Sequence, residues 1–288
     1  MFNYFKNSFN FSAFNSSLKA NKFKPIFEEL NQKYPKGSDP WGLNIRKSIK
    51  SLEKIYPFYK HYFKVRVLGK ENVEDKAYMV VSNHTGQIAI DGMLISTAFV
   101  LEVFPPRILR PMAERFITSI PFIGSWAAQG GAVLGDRQNC INLLKKGQSI
   151  LVFPEGVKGI AKSTKDYYKL QNFTKGFYRI CAKLGVEILP VSVVGAEEFF
   201  PYVYQAKYLA NIIGIPALPI SANFIPLPSP VDIHIGKPIR IPQKISHDSS
   251  DAEITKEVKK IENAIEEMLK EGLKKRRPFF ANQNLKDK

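Results

Sequence analysis

The chain is short of the residues that disulfide-stapled and metal-bound proteins depend on. Its 288 residues include two cysteines, Cys140 and Cys181, and four histidines. Two isolated thiols make neither a disulfide framework nor a cysteine-rich zinc site, so a reducing compartment is expected. Acid is also scarce: 26 Asp and Glu face 42 Lys and Arg, a formal charge of +16. That balance invites an anionic partner, whether nucleic acid, a phosphorylated substrate or an anionic membrane surface. No helix-turn-helix, zinc-finger or RNA-binding pattern accompanies the charge, so no nucleic-acid partner is expected.

Long apolar runs are missing too. The first thirty residues hold no continuous apolar core, so no secretory leader is expected. The uncharged stretch after Asp91 ends at Glu102, too short to cross a bilayer. Residues 208–231 are uncharged, but Pro216, Pro219, Pro226, Pro228 and Pro230 exclude a regular helix. That segment reads as a loop that covers core or roofs an apolar cleft.

A hydrophobic content of 44% is enough for a full core in one elaborated domain, or at most two. Residues 1–27 carry seven phenylalanines, four lysines and no acid. This composition suits a membrane interface, or equally a tail packed on the domain. A helix is expected over 43–63, bent or ended by Pro57. From residue 64 short apolar strands alternate with helices. Strands are expected at 64–68, 77–82, 107–112, 131–135, 149–153, 187–194 and 232–235. Helices are expected at 91–103, 113–118, 122–128, 138–146, 175–183 and 251–275. Such alternation predicts an α/β fold with a mixed, largely parallel sheet flanked by helices. The last helix is amphipathic and ends in Lys274, Lys275, Arg276 and Arg277, followed by Phe279 and Phe280. That ending fits an anionic lipid surface or a solvated tail.

Three strand ends carry candidate chemistry. In the first, Asn83 and His84 follow a buried strand, and Asp91 opens the next helix. An imidazole needs a carboxylate or carbonyl on one nitrogen before the other can take a proton. Asp91 fits that need, and it fits a helix N-cap equally well. The second, from Gly131 to Arg137, delivers an arginine suited to phosphate, although an Asp136–Arg137 surface pair is the plainer reading. The third runs from Phe153 through Pro154, Glu155, Gly156 and Val157 to Lys158 and Gly159. Its glycines let backbone approach a ligand, and Lys158 and exposed N–H groups could hold an anion. Glu155 could orient a substrate hydroxyl or pair with Arg137. A generic Pro-Glu-Gly turn is the alternative.

Taken together, the three blocks resemble the phospholipid and glycerol acyltransferase family, which includes the lysophosphatidate acyltransferases. The likeness covers roughly residues 64–240. Asn83, His84 and Asp91 resemble its His–Asp motif, 131–137 its glycerol-phosphate block, and 153–158 its Phe-Pro-Glu-Gly block. The run Ile188, Leu189, Pro190, Val191 is similar to its fourth, proline-containing block. One feature departs from the pattern. The family places four residues between His and Asp; here that position is Ala89, and Asp91 comes two residues later.

The resemblance implies an α/β catalytic domain at 64–245, flanked by an N-terminal aromatic and basic helical extension at 1–63 and a C-terminal amphipathic helix and basic tail at 246–288. It implies transfer of a fatty acyl group from acyl-CoA or acyl carrier protein to a hydroxyl of an acceptor such as lysophosphatidate. His84 and Asp91 would be catalytic. Arg137, Lys158, Glu155, Gly156 and Gly131 would bind substrate, with oxyanion contacts expected near Gly86 or Gly156. No cofactor or metal is expected beyond the acyl donor. The implied location is peripheral, on the cytoplasmic face of an anionic membrane. The competing expectation is a non-catalytic, membrane-associated lipid-binding protein on the same fold.

Overall fold

Short aliphatic runs become the strands of a central sheet, because a strand covered on both faces needs apolar side chains at every position. The computed structural model describes residues 23–85, 89–160, 162–205, 219–221, 223 and 225–277. Helices α1 (Lys24–Lys33) and α2 (Ile45–Pro57) lead into strands β1 (Arg66–Leu68) and β2 (Met79–Ser82). Then come α3 (Ile90–Leu101), β3 (Arg110–Ala113), α4 (Arg115–Ser119), α5 (Ile123–Gln129) and β4 (Val133–Leu134). Next are α6 (Arg137–Lys145), β5 (Ile150–Val152), α7 (Val157–Ile160), α8 (Gly176–Leu184) and β6 (Ile188–Val194). The hairpin of β7 (Tyr202–Gln205) and β8 (Pro219–Ser221), strand β9 (Asp232–Ile235) and helix α9 (Asp251–Lys274) complete the order.

The sheet runs β1-β9-β6-β2-β5-β3-β4. Its neighbours are parallel except for the antiparallel pair β6–β9. The fold is therefore the mixed, largely parallel α/β sheet that the alternation predicts. Strand β6 is buried at all seven positions. One face packs on α3 through Leu94, Ile95 and Phe99. The other packs on α6, α8 and α9 through Leu143, Cys181, Ile261 and Ile265. Both cysteines are free and buried. Burial pushes the Cys140 thiol up to about 11, which makes it a poor nucleophile.

Helix α9 opens with a capping box: Ser250 accepts from the Glu253 N–H, and Glu253 returns a bond to Ser250. Ile254, Val258, Ile261, Ile265 and Leu269 are all buried beneath it. At about 1.5–3 kcal/mol for each side chain, this helix is a structural layer of the sheet. The basic cluster that follows is largely committed. Arg276 forks onto Glu198 at 2.9 and 2.7 Å, and Arg277 bonds Asp232 at 2.6 Å. Two of the four cations read as facing lipid or solvent instead tie residues 276–277 to the fold.

Pro57 ends the α-helical part of α2 but not the spiral. A proline offers no N–H to the turn before it. The chain widens into a π-helical turn over Phe58–Tyr62, with Phe63 N–H donating to the Phe58 carbonyl at 2.8 Å. Helix α1 is absent from the sequence expectation; its Phe23 neighbour is buried edge-on against Tyr56 at 5.1 Å. The expectations for residues 1–22, for most of 208–231, and for Phe279 and Phe280 lie outside the described residues. Among the described residues, no helix is long and apolar enough to cross a membrane.

Candidate active site

The site is assembled where β2 leaves the sheet. Asn83 is fully buried and pairs in both directions with the Val193 backbone, donating to its carbonyl at 3.1 Å and accepting its N–H at 2.8 Å. A side chain thereby extends the β2–β6 ladder and fixes the chain just before His84.

His84 meets Asp91 directly, with 2.8 Å between imidazole Nδ1 and carboxylate Oδ2. The same oxygen accepts the Thr85 N–H at 2.8 Å, and the other accepts the Gly92 N–H at 2.7 Å. Asp91 is not the N-cap. Helix α3 begins at Ile90, so Asp91 lies inside the first turn, where a negative charge is favoured by the helix dipole. The dyad closes despite the two extra residues between His and Asp. A carboxylate can only accept, so Nδ1 donates and Nε2 is left as the proton acceptor. Asp91 is fully buried, while the His84 side chain keeps 12% of its surface. The Phe153 ring stacks on the imidazole at 4.1 Å, with 17° between planes.

Beneath the dyad lies a buried charge cluster. Glu155 accepts the His84 N–H at 2.8 Å and the Gln171 N–H at 2.7 Å. Lys162 reaches Glu155 at 3.1 Å, Glu197 at 3.3 Å and the His84 carbonyl at 3.4 Å. All three charged side chains are buried. Burial pushes the Glu197 carboxyl up to about 7; Lys162 and the Tyr168 N–H pull it down, while Glu155 adds to the rise. Glu155 therefore holds the His84 loop. It does not pair with Arg137, and its oxygens are already engaged within the fold.

The glycines also find other uses. A side chain on Gly159 would sit 2.7 Å from His84 Cβ and 3.0 Å from Glu155 Cβ, so this glycine lets α7 touch the dyad. Gly156 has φ +58° with open space around it, and its N–H is spent on the Phe153 carbonyl at 2.9 Å. Gly86, the other expected oxyanion contact, lies outside the described residues. Gly131 precedes β4 and is buried at the opposite, N-terminal end of the strands. There its carbonyl accepts from Arg110 Nε at 2.8 Å.

The cations form a row. In a parallel sheet every C-terminal strand end lies on one edge, so the order β2, β5, β3, β4 places His84, Lys158, Arg115 and Arg137 in sequence along it. At the usual strand spacing, β2 and β4 are about 14 Å apart. Lys158, Arg115 and Arg137 are exposed, and none makes an ion pair among the described residues. Asp136 caps α6 by accepting the Asn139 N–H at 2.8 Å, so the surface Asp136–Arg137 pair is not formed. Sequence reasoning missed Arg115, which only the sheet order brings between the two expected cations. It also missed Lys162 and Glu197, which no local pattern marks. Among the described residues, no three His, Cys, Asp or Glu side chains converge as metal ligands would.

Sheet order and dyad together give an α/β protein with a His–Asp pair at the C-terminal edge of its parallel strands. Residues 64–194 match the family model described as Acyltransferase. It is 35% identical over 234 residues to an uncharacterized protein of Mycobacterium tuberculosis, covering 77% of this chain and 65% of that one. The chain thus spans less than two thirds of these mycobacterial relatives. It is 31% identical over 160 residues to the chloroplastic 1-acyl-sn-glycerol-3-phosphate acyltransferase LPAT1 of Arabidopsis thaliana, covering 51% of this chain and 39% of that one. The crystal structure of the 1-acyl-sn-glycerophosphate acyltransferase PlsC from Thermotoga maritima superposes with a TM-score of 0.51 at 23% identity. It covers 78% of this chain and 81% of that one, and shares the fold.

Proposed function

We propose that the protein is an O-acyltransferase that moves a fatty acyl group from a thioester to a hydroxyl of a glycerolipid acceptor. The observation that carries this reading is the His84–Asp91 contact at 2.8 Å, set at the C-terminal edge of the parallel strands beside cations that make no ion pair among the described residues. His84 Nε2 takes the proton of the acceptor hydroxyl as its oxygen bonds to the thioester carbonyl carbon. The tetrahedral intermediate then collapses, the C–S bond breaks, and the departing thiolate takes the proton back from the imidazolium. Asp91 stabilises the imidazolium while it exists. No covalent enzyme intermediate is required.

Lys158, Arg115 and Arg137 favour an acceptor that carries phosphate. The 1-acyl-sn-glycerol-3-phosphate acyltransferase activity of the Arabidopsis relative is consistent with lysophosphatidate as that acceptor. Acyl-CoA or acyl carrier protein supplies the acyl group. A lipid acceptor makes a peripheral position on the cytoplasmic face of a membrane the natural place of work.

The test is an assay of the purified chain with labelled acyl-CoA and acyl carrier protein against lysophosphatidate, glycerol 3-phosphate, other lysophospholipids and neutral alcohols. Transfer to a phosphate-bearing acceptor is expected. Binding of lysolipid without transfer to any acceptor would favour a lipid-binding protein instead.

A further inference from the structure

The α4–α5 hairpin shows an apolar surface with no cover among the described residues. Phe122 is 89% exposed and Trp126 45%; Ile120 and Ile123 are exposed beside them. Phe122 also stands at φ +64°, a conformation that favours glycine and costs energy for an aromatic residue. The ring gains little packing among the described residues in return.

The surroundings of the hairpin are basic. Helix α5 runs antiparallel to α2. The Gln129 carbonyl accepts from Asn44 N–H at 3.1 Å and Ser48 Oγ at 2.7 Å, and Trp126 Nε1 donates to Ser51 Oγ at 3.1 Å. This register carries Phe122 toward the end of α2, where Phe58 is also exposed. At helical spacing, Ser51 shares one face with Lys47, Lys50 and Lys54. All three lysines are exposed, and none is in an ion pair among the described residues. Glu53 falls on another face. An apolar tip beside a lysine stripe is the pattern of an interfacial membrane contact.

We propose that the α4–α5 hairpin docks on an anionic bilayer, with Phe122, Ile123 and Trp126 in the interface and Lys47, Lys50 and Lys54 against lipid phosphates. Trp and Phe favour that depth. A second copy of this chain suits the patch less well, because a two-fold contact would set lysine against lysine. Helix α4 follows the C-terminal end of β3, so the hairpin leaves the sheet from the edge that bears His84. The surface deepens the proposed function, on which its purpose rests, by naming where a bilayer-held acceptor would meet the protein.

The test is vesicle flotation of the full chain without substrates, so it does not depend on turnover. Vesicles of phosphatidylcholine with about 30% phosphatidylglycerol are compared with pure phosphatidylcholine. Phe122→Gly combined with Ile123→Ser is expected to lower partitioning onto the anionic vesicles about tenfold or more. Its thermal midpoint should hold or rise, since glycine suits the backbone at 122. Lys47→Gln with Lys50→Gln and Lys54→Gln is expected to lose a similar factor at low salt and little at high salt. Variants that float like the wild type would assign membrane binding to another segment and overturn the proposal. Wild-type dimers that Phe122→Gly converts to monomers, with no vesicle binding by either, would assign the patch to a second copy. Variant-sensitive flotation without acyl transfer would keep the docking surface and remove the catalytic reading.

Discussion

The two edges of the parallel sheet use cationic side chains in opposite ways. At the N-terminal edge Arg110 is fully buried and bonded to Asp39, to Gln148 at 2.8 Å and to the Gly131 carbonyl at 2.8 Å. Trp41 lies 5.9 Å from its guanidinium carbon. Arg107, also buried, donates to the Lys76 carbonyl at 2.8 Å. At the C-terminal edge Lys158, Arg115 and Arg137 are exposed and unpaired among the described residues. The first group is consumed within the fold, Arg110 fastening residues 38–44 to the sheet and Arg107 holding the segment that precedes β2. The second makes no ion pair among the described residues and is exposed where a ligand could reach it. A net charge of +16 is therefore not one feature, and only burial and pairing separate its structural part from its functional part.

That contrast breaks or sharpens under substitution. Arg110→Met leaves Asp39 facing a buried apolar group and should cost about 3–5 kcal/mol in urea unfolding. A loss below about 1 kcal/mol would erase the distinction between the edges. Gly159→Ala forces a methyl group against His84 and Glu155. It should cost about 1–3 kcal/mol and lower turnover, read by unfolding and rate together; a fully active, stable variant would mean the two chain segments do not touch.

Glu197 gives a pH signature. Its carboxyl is raised from an ordinary 4.5 to about 7, so between those values the folded chain binds more protons than the unfolded one. Stability from this group therefore falls as pH rises through that window, by on the order of 3 kcal/mol. Glu197→Gln should flatten the slope, and an unchanged profile of melting temperature against pH would contradict the assignment. The smallest stability effect is expected from Arg137→Gln, within about 0.5 kcal/mol. Its mark should be kinetic: a KM for phosphate-bearing acceptor raised about tenfold with kcat unchanged. A change in stability without a change in KM would move Arg137 to the structural group.

Much of the fold was legible because both-face burial writes parallel strands as bare apolar runs. Expected strands at 77–82 and 187–194 correspond to β2 and β6, the centre of the sheet. His84 and Asp91 were legible as candidates because a histidine directly after a buried strand is rare in a chain with four. Their meeting was less so, since the longer spacing left the N-cap role open until the helix start was fixed at Ile90. What escaped was assembled at long range. Lys162 reaches back to the His84 carbonyl and on to Glu197, and no period or spacing relates the three positions. Arg276 and Arg277 look like a solvated basic tail in sequence, and their partners Glu198 and Asp232 lie far back along the chain. Local sequence points Glu155 at a substrate hydroxyl or at Arg137, because its burial depends on a cluster that local sequence does not encode.

The central claim is that the His84–Asp91 pair acts as a general base. It is tested most directly by the acyl-transfer rate of His84→Ala beside Asp91→Asn, at saturating donor and acceptor. The account predicts a fall of about 10²-fold or more in kcat for His84→Ala and a substantial fall for Asp91→Asn, with lysolipid binding retained in both. A His84→Ala rate within about threefold of the wild type would contradict it.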